Sequence, residues 1–300
     1  MYKEVNCPLC GSNDRRPLYP ATKPQSMTPA DLACTTALLA SYDAIVKCRS
    51  CGLRYTSPRP SDGDISGNYT KVEDTGFIQE RRGRELTYQR LLREMDRILW
   101  GKRGRLLDVG CAMGFFPVEA RQAGWQVEGL EPSRWAVEYA RREFGLTVAE
   151  GDVAHADLIP GSYDAITMWD VVEHLTDPVG DFRRLAEALK PGGLLAFSTH
   201  SIESLCARVL GRRYPFLMSM HITHFSSRTT GLLCEKAGLK QVSVTPHLRY
   251  IRTGYVAKKL EQALPGVGGM VQGVMRATGL DNRYVVVAGL GLFNAFAIKE

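Results

Sequence analysis

The stretch RLLDVGCAMGFFPVEARQAGWQVEGLEPS, from Arg105 to Ser133, constrains the fold more than any other part of the chain. Arg105–Val109 is a short apolar run closed by Asp108 and Gly110, the pattern of a buried strand. Phe115–Ala123 carries helix formers, and Gly124 stops it as a C-terminal glycine does. Gln126–Leu130 is strand-like again and ends in Glu131-Pro132. Strand, tight turn, helix and strand make half of a nucleotide-binding α/β unit, with the ligand at the carboxyl ends of the strands. Gly110 and Gly114 let the backbone turn sharply and approach a ligand with no Cβ in the way. The loop empties onto a helix N-terminus, whose free N–H groups suit an anion. Glu131 follows Asp108 by roughly 20 residues, the spacing at which an acid accepts hydrogen bonds from ribose hydroxyls. The glycine spacing is G-x-x-x-G, not the dinucleotide fingerprint.

Asp108-Val-Gly-Cys-Ala-Met-Gly114, together with Glu131-Pro132-Ser133, resembles motifs I and II of class I S-adenosylmethionine-dependent methyltransferases. Ala112 stands where the usual pattern has glycine. The resemblance covers Tyr69 to Glu300. It implies a Rossmann-like three-layer αβα sandwich around a mostly parallel seven-stranded sheet whose last strand is antiparallel. It further implies that Asp108, Gly110, Cys111, Ala112, Gly114, Glu131, Pro132 and Ser133 contact S-adenosylmethionine, with Tyr69 lying over it. Leu146–Ala149 makes a third strand. By the same resemblance, Asp152 after it holds the adenine amino group and the Val153 N–H meets the ring. Tyr163–Trp169 is a fourth strand, and the Asp170-Val-Val-Glu-His174-Leu loop after it resembles the family's loop beside the methionine part of the cofactor. Trp169, Asp170 and His174 are the residues it implicates. Pro178–Lys190 is a helix, Pro191-Gly-Gly193 a turn, and Leu194–Thr199 strand five. Alternating strands and helices argue for a parallel sheet covered on both faces.

Ahead of this unit lie Cys7-Pro-Leu-Cys10-Gly and Cys48-Arg-Ser-Cys51-Gly. Two such knuckles place four thiolates within reach of one tetrahedral ion, zinc above others, in a closed site that leaves no position for chemistry. The role is structural, and docking of a substrate or partner is the sharper alternative. A helix over Asp31–Ala40 is expected between the knuckles. Cys34, Cys111, Cys206 and Cys234 have no such spacing and read as buried or incidental thiols. Eight cysteines in a chain with no expected secretory leader favour metal binding or burial over disulfides.

The expected organisation is a zinc module over 1–60, a linker and amphipathic helix over 61–100, and a methyltransferase domain over 101–300. A substrate-covering insertion falls at about 201–228 and a helical addition at about 252–280. Tyr88, Leu91, Leu92, Met95, Ile98 and Leu99 share one helical face, and arginines crowd the rest. Thr229–Ala237 is a helix, Gln241–His247 strand six, Tyr255–Leu264 and Val267–Thr278 helices, and Tyr284–Lys299 the last strand. Val285–Ile298 is the longest apolar run, too short for a bilayer and broken by glycines, so a cytoplasmic protein is expected. The net charge of +6 permits an anionic partner without demanding one. A homo-oligomer is allowed.

The expected activity is methyl transfer to oxygen on a small-molecule or saccharide acceptor. The cysteine-rich start resembles proteins of bacterial sugar, glycan and natural-product pathways. For a hydroxyl acceptor a general base adds about 10²–10⁴-fold, and histidine suits that task near neutral pH. His174 and His224 are the candidates; His221 and His224 alone are too sparse for a metal site. Two other readings stand beside this one. A nucleic-acid methyltransferase is favoured by the knuckles and the basic excess, but disfavoured by the lack of interleaved stacking aromatics. The other is a non-catalytic cofactor-binding regulator.

Overall fold

The computed structural model describes residues 2–22, 27–33, 35, 41–263 and 266–300. Five strands come first: β1 (Tyr2–Lys3), β2 (Arg15–Tyr19), β3 (Ile45–Cys48), β4 (Arg54–Thr56) and β5 (Arg59–Pro60). Three helices follow, α1 (Asp62–Tyr69), α2 (Thr75–Gln79) and α3 (Arg81–Leu99). The alternating region is β6 (Arg105–Val109), α4 (Phe115–Gln122), β7 (Gln126–Glu131), α5 (Arg134–Phe144), β8 (Thr147–Glu150), β9 (Tyr163–Trp169), α6 (Pro178–Ala188) and β10 (Leu189–His200). Then come α7 (Leu205–Leu210), β11 (Thr223–His224), α8 (Ser227–Lys236), β12 (Leu239–Pro246), β13 (Arg249–Arg252), α9 (Thr253–Ala263), α10 (Val267–Ala277), β14 (Tyr284–Val287) and β15 (Leu292–Lys299).

The main sheet has seven strands in the order β12-β15-β10-β9-β6-β7-β8. β15 runs antiparallel to both its neighbours, and the pairs from β8 to β10 are parallel. The central strands are apolar on both faces, because helices cover both: Leu106, Leu107, Ala165, Ile166, Leu195 and Phe197 are all buried. Chain order reverses on either side of β6, which opens a crevice at the carboxyl ends of β6, β7 and β9. Helix boundaries follow local chemistry. Ser133 Oγ accepts from the Ala136 N–H to start α5, and Gly145 ends it with φ of 59°.

Several expectations change. Tyr284–Lys299 is not one strand. Gly289 and Gly291 adopt left-handed φ of 81° and 84° and divide it. β14 pairs with β13 in a separate ribbon, and only β15 joins the main sheet. The fifth strand of the alternating unit starts at Leu189, with the Pro191–Gly193 turn absorbed as an irregularity in its register with β9. Of the helix expected over Asp31–Ala40, the described residues show one 3₁₀ turn, Pro29–Leu32; Cys34 and residues 36–40 lie outside them. The α3 stripe buries Leu91, Leu92 and Met95, with Tyr88, Ile98 and Leu99 packed beside them. Three of its six arginines meet its own acids: Arg81 and Arg82 pair with Glu85, and Arg90 with Glu94.

The cysteine segment is woven into the rest. Its sheet has the order β11-β4-β3-β2, so one edge strand comes from the segment after β10. Cys7, Leu9, Leu53 and Tyr55 belong to the same apolar cluster as Phe197, Phe225 and Leu233. Among the described residues no helix is long and apolar enough to cross a membrane.

Candidate active site

A cavity of about 410 Å³ occupies the crevice at the carboxyl ends of β6, β7 and β9. Gly110 turns the chain at the end of β6 with φ of 68°, and a Cβ there would lie 2.5 Å from Val171 Cγ2. Ala112 also sits at positive φ, 46°, so a turn that usually takes glycine is held here by an alanine. Glu131, at the end of β7, fixes this loop. Its Oε2 accepts from the Ala112 N–H at 2.9 Å and its Oε1 from the Ser133 N–H at 2.8 Å. Burial raises the Glu131 pKa, and the two amides offset part of that. Asp108 is buried beneath the loop, and Thr167 Oγ1 donates to it at 2.6 Å. Burial pushes its pKa up to about 8, against the pull of the Thr167 bond.

Further along the wall, Asp152 Oδ1 accepts from the backbone N–H of His155 at 3.1 Å, and Val153 is buried next to it. After β9 the chain kinks at Asp170, whose φ is 58°. Asp170 pairs with Arg249 and with Ser198. Burial alone would raise its pKa, but Arg249 and then His247 overcome this and hold the carboxyl below its ordinary range. The following 3₁₀ turn, Val172–His174, presents Glu173 and His174 to the cavity. His174 Nδ1 lies 2.8 Å from both the Tyr69 hydroxyl and the Met220 carbonyl.

Of the expected cofactor residues, Tyr69, Asp108, Gly110, Cys111, Ala112, Glu131, Pro132, Ser133, Asp152, Val153, Trp169 and Asp170 all line this one cavity. Gly114 does not. It caps α4 with φ of 82°, and its bare Cα packs against Leu146 and Ala140, so glycine is needed there for helix–helix approach. Of the two histidines, His174 lines the cavity and His224 does not. His224 lies on β11, 1% exposed, with its Nδ1 3.0 Å from His200 Nε2. Both residues of β11 are buried, and His221, three residues before His224, reaches the cavity wall instead.

Several lining residues were not legible in the sequence. Arg84 stacks 3.4 Å above the Phe77 ring, and its Nε is buried with no hydrogen-bond partner. It was one arginine among many on α3. Arg249 and His247 come from a segment with no motif, and nothing in the local sequence sets Glu173 apart from its neighbours. His247 Nδ1 meets Asn294 Oδ1 at 2.5 Å, and burial lowers its pKa to about 4. The rest of the lining mixes apolar and aromatic side chains, among them Ile65, Phe77, Tyr88, Met218, Met220 and Tyr250, with polar ones such as Asp74, Glu80 and Asp181.

The four knuckle cysteines form a second cluster, away from this cavity's lining. Cys7 Sγ lies 3.5 Å from Cys51 Sγ, and Cys10 Sγ 3.6 Å from Cys48 Sγ. The two knuckles repeat each other: the Gly11 N–H donates to the Cys7 carbonyl and the Gly52 N–H to the Cys48 carbonyl.

The methyltransferase-domain family model matches residues 79–244. Among curated proteins, the ubiquinone biosynthesis O-methyltransferase of Vibrio cholerae is 36% identical over 121 residues, 38% of this chain and 49% of that protein. The protein of the same name from Burkholderia vietnamiensis is 36% identical over 138 residues, 43% of this chain and 59% of that one. The chain thus spans about half the length of the curated relatives it matches. Among solved structures, a SAM-dependent methyltransferase from Archaeoglobus fulgidus aligns over 75% of this chain and all of its own length, with TM-score 0.52 and 16% identity. A possible histamine N-methyltransferase from Thermotoga maritima covers 73% of this chain and 91% of its own, with TM-score 0.50 and 18% identity. At such identities the likeness establishes the fold alone.

Proposed function

Because the chain belongs to the methyltransferase-domain family, we propose that it is an S-adenosylmethionine-dependent enzyme that methylates an oxygen atom of a small molecule held in the cavity described above. The observation that carries this reading is that the Gly110–Glu131 loop and the Glu173–His174–His221 group line one and the same cavity. One half fits the cofactor and the other fits a hydroxyl to be activated.

The chain's residues suit the cofactor part by part. Glu131 offers a buried carboxylate to ribose hydroxyls, which are donors and relieve its burial. Gly110 leaves room for the amino-acid tail above a bare backbone. Arg84, a half-buried cation with a buried, unpartnered Nε, faces the same space and suits the tail's carboxylate. Asp152 and Val153 are the groups we assign to adenine. Asp170, already held by Arg249, orients that arginine at the cavity wall.

Bound S-adenosylmethionine supplies an activated methyl group and a good leaving group. The chain aligns the acceptor with it; such alignment is worth about 7–11 kcal/mol. The Met220 carbonyl can only accept, so His174 Nδ1 carries the hydrogen and Nε2 keeps a lone pair for the acceptor's proton. His174 is therefore the base we assign, and His224 has no part in it. The Met218, Met220, Phe216 and Tyr250 part of the wall suits an acceptor with an aromatic or aliphatic body better than a saccharide. The relatives named as ubiquinone biosynthesis O-methyltransferases support oxygen as the atom methylated. The ion pairs within α3 weigh against a nucleic-acid groove.

We further propose that Cys7, Cys10, Cys48 and Cys51 hold one structural zinc ion. Bonds of about 2.3 Å in a tetrahedron place sulfurs near 3.8 Å apart, and the observed 3.5 and 3.6 Å approach that edge.

The test uses labelled S-adenosylmethionine with a panel of phenols, aliphatic alcohols and sugars. Label in a phenol or alcohol, lost in His174→Ala while cofactor affinity persists, is the expected result. Tight cofactor binding with no transfer to any acceptor would replace the reading with that of a regulator.

A further inference from the structure

We propose that Glu173, His174 and His221 together bind a divalent first-row transition-metal ion in the cavity, with coordination positions left open toward the acceptor. Each offers one ligand atom, and these atoms lie within 4.8 Å of one another. Small side-chain rotations close such a set onto a single ion. The two histidines come from different segments, one on the turn after β9 and the other ahead of β11.

The hydrogen-bond partners fix the chemistry of each ligand. His174 Nδ1 donates to the Met220 carbonyl at 2.8 Å, and His221 Nδ1 to the Phe216 carbonyl at 2.7 Å. A carbonyl cannot donate, so both rings carry hydrogen on Nδ1 and a free lone pair on Nε2. This is the outer arrangement that orients metal-bound imidazoles. Glu173 is 2% exposed, and its Oε2 is buried with no hydrogen-bond partner. Its Oε1 lies 3.8 Å from His200 Nδ1, and Arg249 in the cavity wall is held by Asp170. A buried carboxylate with an unpartnered oxygen is costly, and a cation beside it removes that cost. Two imidazoles and one carboxylate leave positions open and suit divalent iron, cobalt, manganese or zinc. The all-sulfur knuckle cluster selects differently, for soft ions.

The part of the ion in turnover rests on the reading of an oxygen acceptor; its binding does not. With the ion bound, the His174 lone pair is taken up, so the acceptor hydroxyl on an open position loses its proton to bulk water, and His174 acts as the base only in metal-free protein. The oxygen lone pair then forms the bond to the methyl carbon. The carbon–sulfur pair stays on sulfur, and the sulfonium leaves as a neutral thioether.

Manganese serves as the probe, because it shuns thiolates. Full-length protein carrying one zinc equivalent is titrated with Mn²⁺ and free ion is read by electron paramagnetic resonance. One Mn²⁺ sequestered per chain is expected, with affinity weakened by about 10–100-fold or more in Glu173→Gln and in His221→Ala. Calorimetry with S-adenosylmethionine on the same samples shows whether each variant is folded. No sequestration by the parent protein overturns the proposal, and so does parental affinity in both variants. Failure of the oxygen-acceptor reading would show separately, as no labelled hydroxyl product from protein that binds the cofactor.

Discussion

Gly110 and Asp108 show how much of the site hangs on single residues. Alanine at 110 would have to hold φ of 68° and push Val171 aside. Left-handed backbone costs an L residue about 1–2 kcal/mol. Gly110→Ala is expected to lose at least that much stability in urea denaturation and to bind S-adenosylmethionine more weakly. Glu131→Ala removes a charge-assisted partner worth about 1.5–3 kcal/mol, which predicts a cofactor Kd weaker by about 10–150-fold in calorimetry. Asp108 links folding to pH. Its pKa in the fold is about 8 against an ordinary 3.8, so the folded state binds the proton more tightly. Its contribution to stability is full below pH 3.8 and lost as pH rises through about 8. The free protein should therefore weaken across that window, by up to about 1.4 kcal/mol per pH unit from this group. Asp108→Asn should remove that share of the slope in denaturation measured across a pH series. The glycine loop and both acids were legible because their chemistry is local. Arg84, His221 and Arg249 were not, because only the fold makes neighbours of α3, the segment before β11, and β13.

At the scale of elements, β11 joins the cysteine sheet to the turn after β9. Thr223 and His224 pair with Tyr55 and Arg54. The Ile222 N–H donates to the Glu173 carbonyl, and the Ile222 carbonyl accepts from the Thr56 N–H. The cysteine sheet is thus tied by backbone bonds to the turn that carries Glu173 and His174. Removing its metal with a chelator, or changing Cys48 to Ser, should leave cofactor affinity little altered and cut methyl transfer by about 100-fold, the cost of a misplacement near 1 Å. Equal losses in binding and transfer would show that the sheet supports the whole crevice instead. The alternating elements from β6 to β10 were readable from periodicity and caps. The join at β11 was not, since two residues of strand leave no periodicity, and the division of β14 from β15 rests on left-handed φ at Gly289 and Gly291.

For the whole molecule, the cavity is closed by parts from every region: Leu32 and Ile65 from the start, Phe216 and Met218 after β10, Tyr250 and Tyr255 beyond β12. Cofactor binding should therefore report on global folding. At 100 times its Kd, S-adenosylmethionine should raise unfolding stability by about 2.7 kcal/mol, seen as a higher Tm. The net charge is a modest +6, and Arg81, Arg82 and Arg90 of the arginine-rich helix are held by Glu85 and Glu94. Binding to single-stranded RNA should accordingly be weak, with a shallow salt dependence in a filter or anisotropy assay.

The shared edge at β11 makes trimming the chain hazardous. A fragment beginning after Pro60 would keep Thr223 and His224 but lose the strand that covers them. Their bare amides and carbonyls would sit beside Met218, Met220 and Phe225, all normally buried. Such an edge recruits any strand it meets. The shortened product should pair with its own copies and precipitate, and fusing a foreign β-hairpin at the cut, rather than adding detergent, is the remedy this geometry favours.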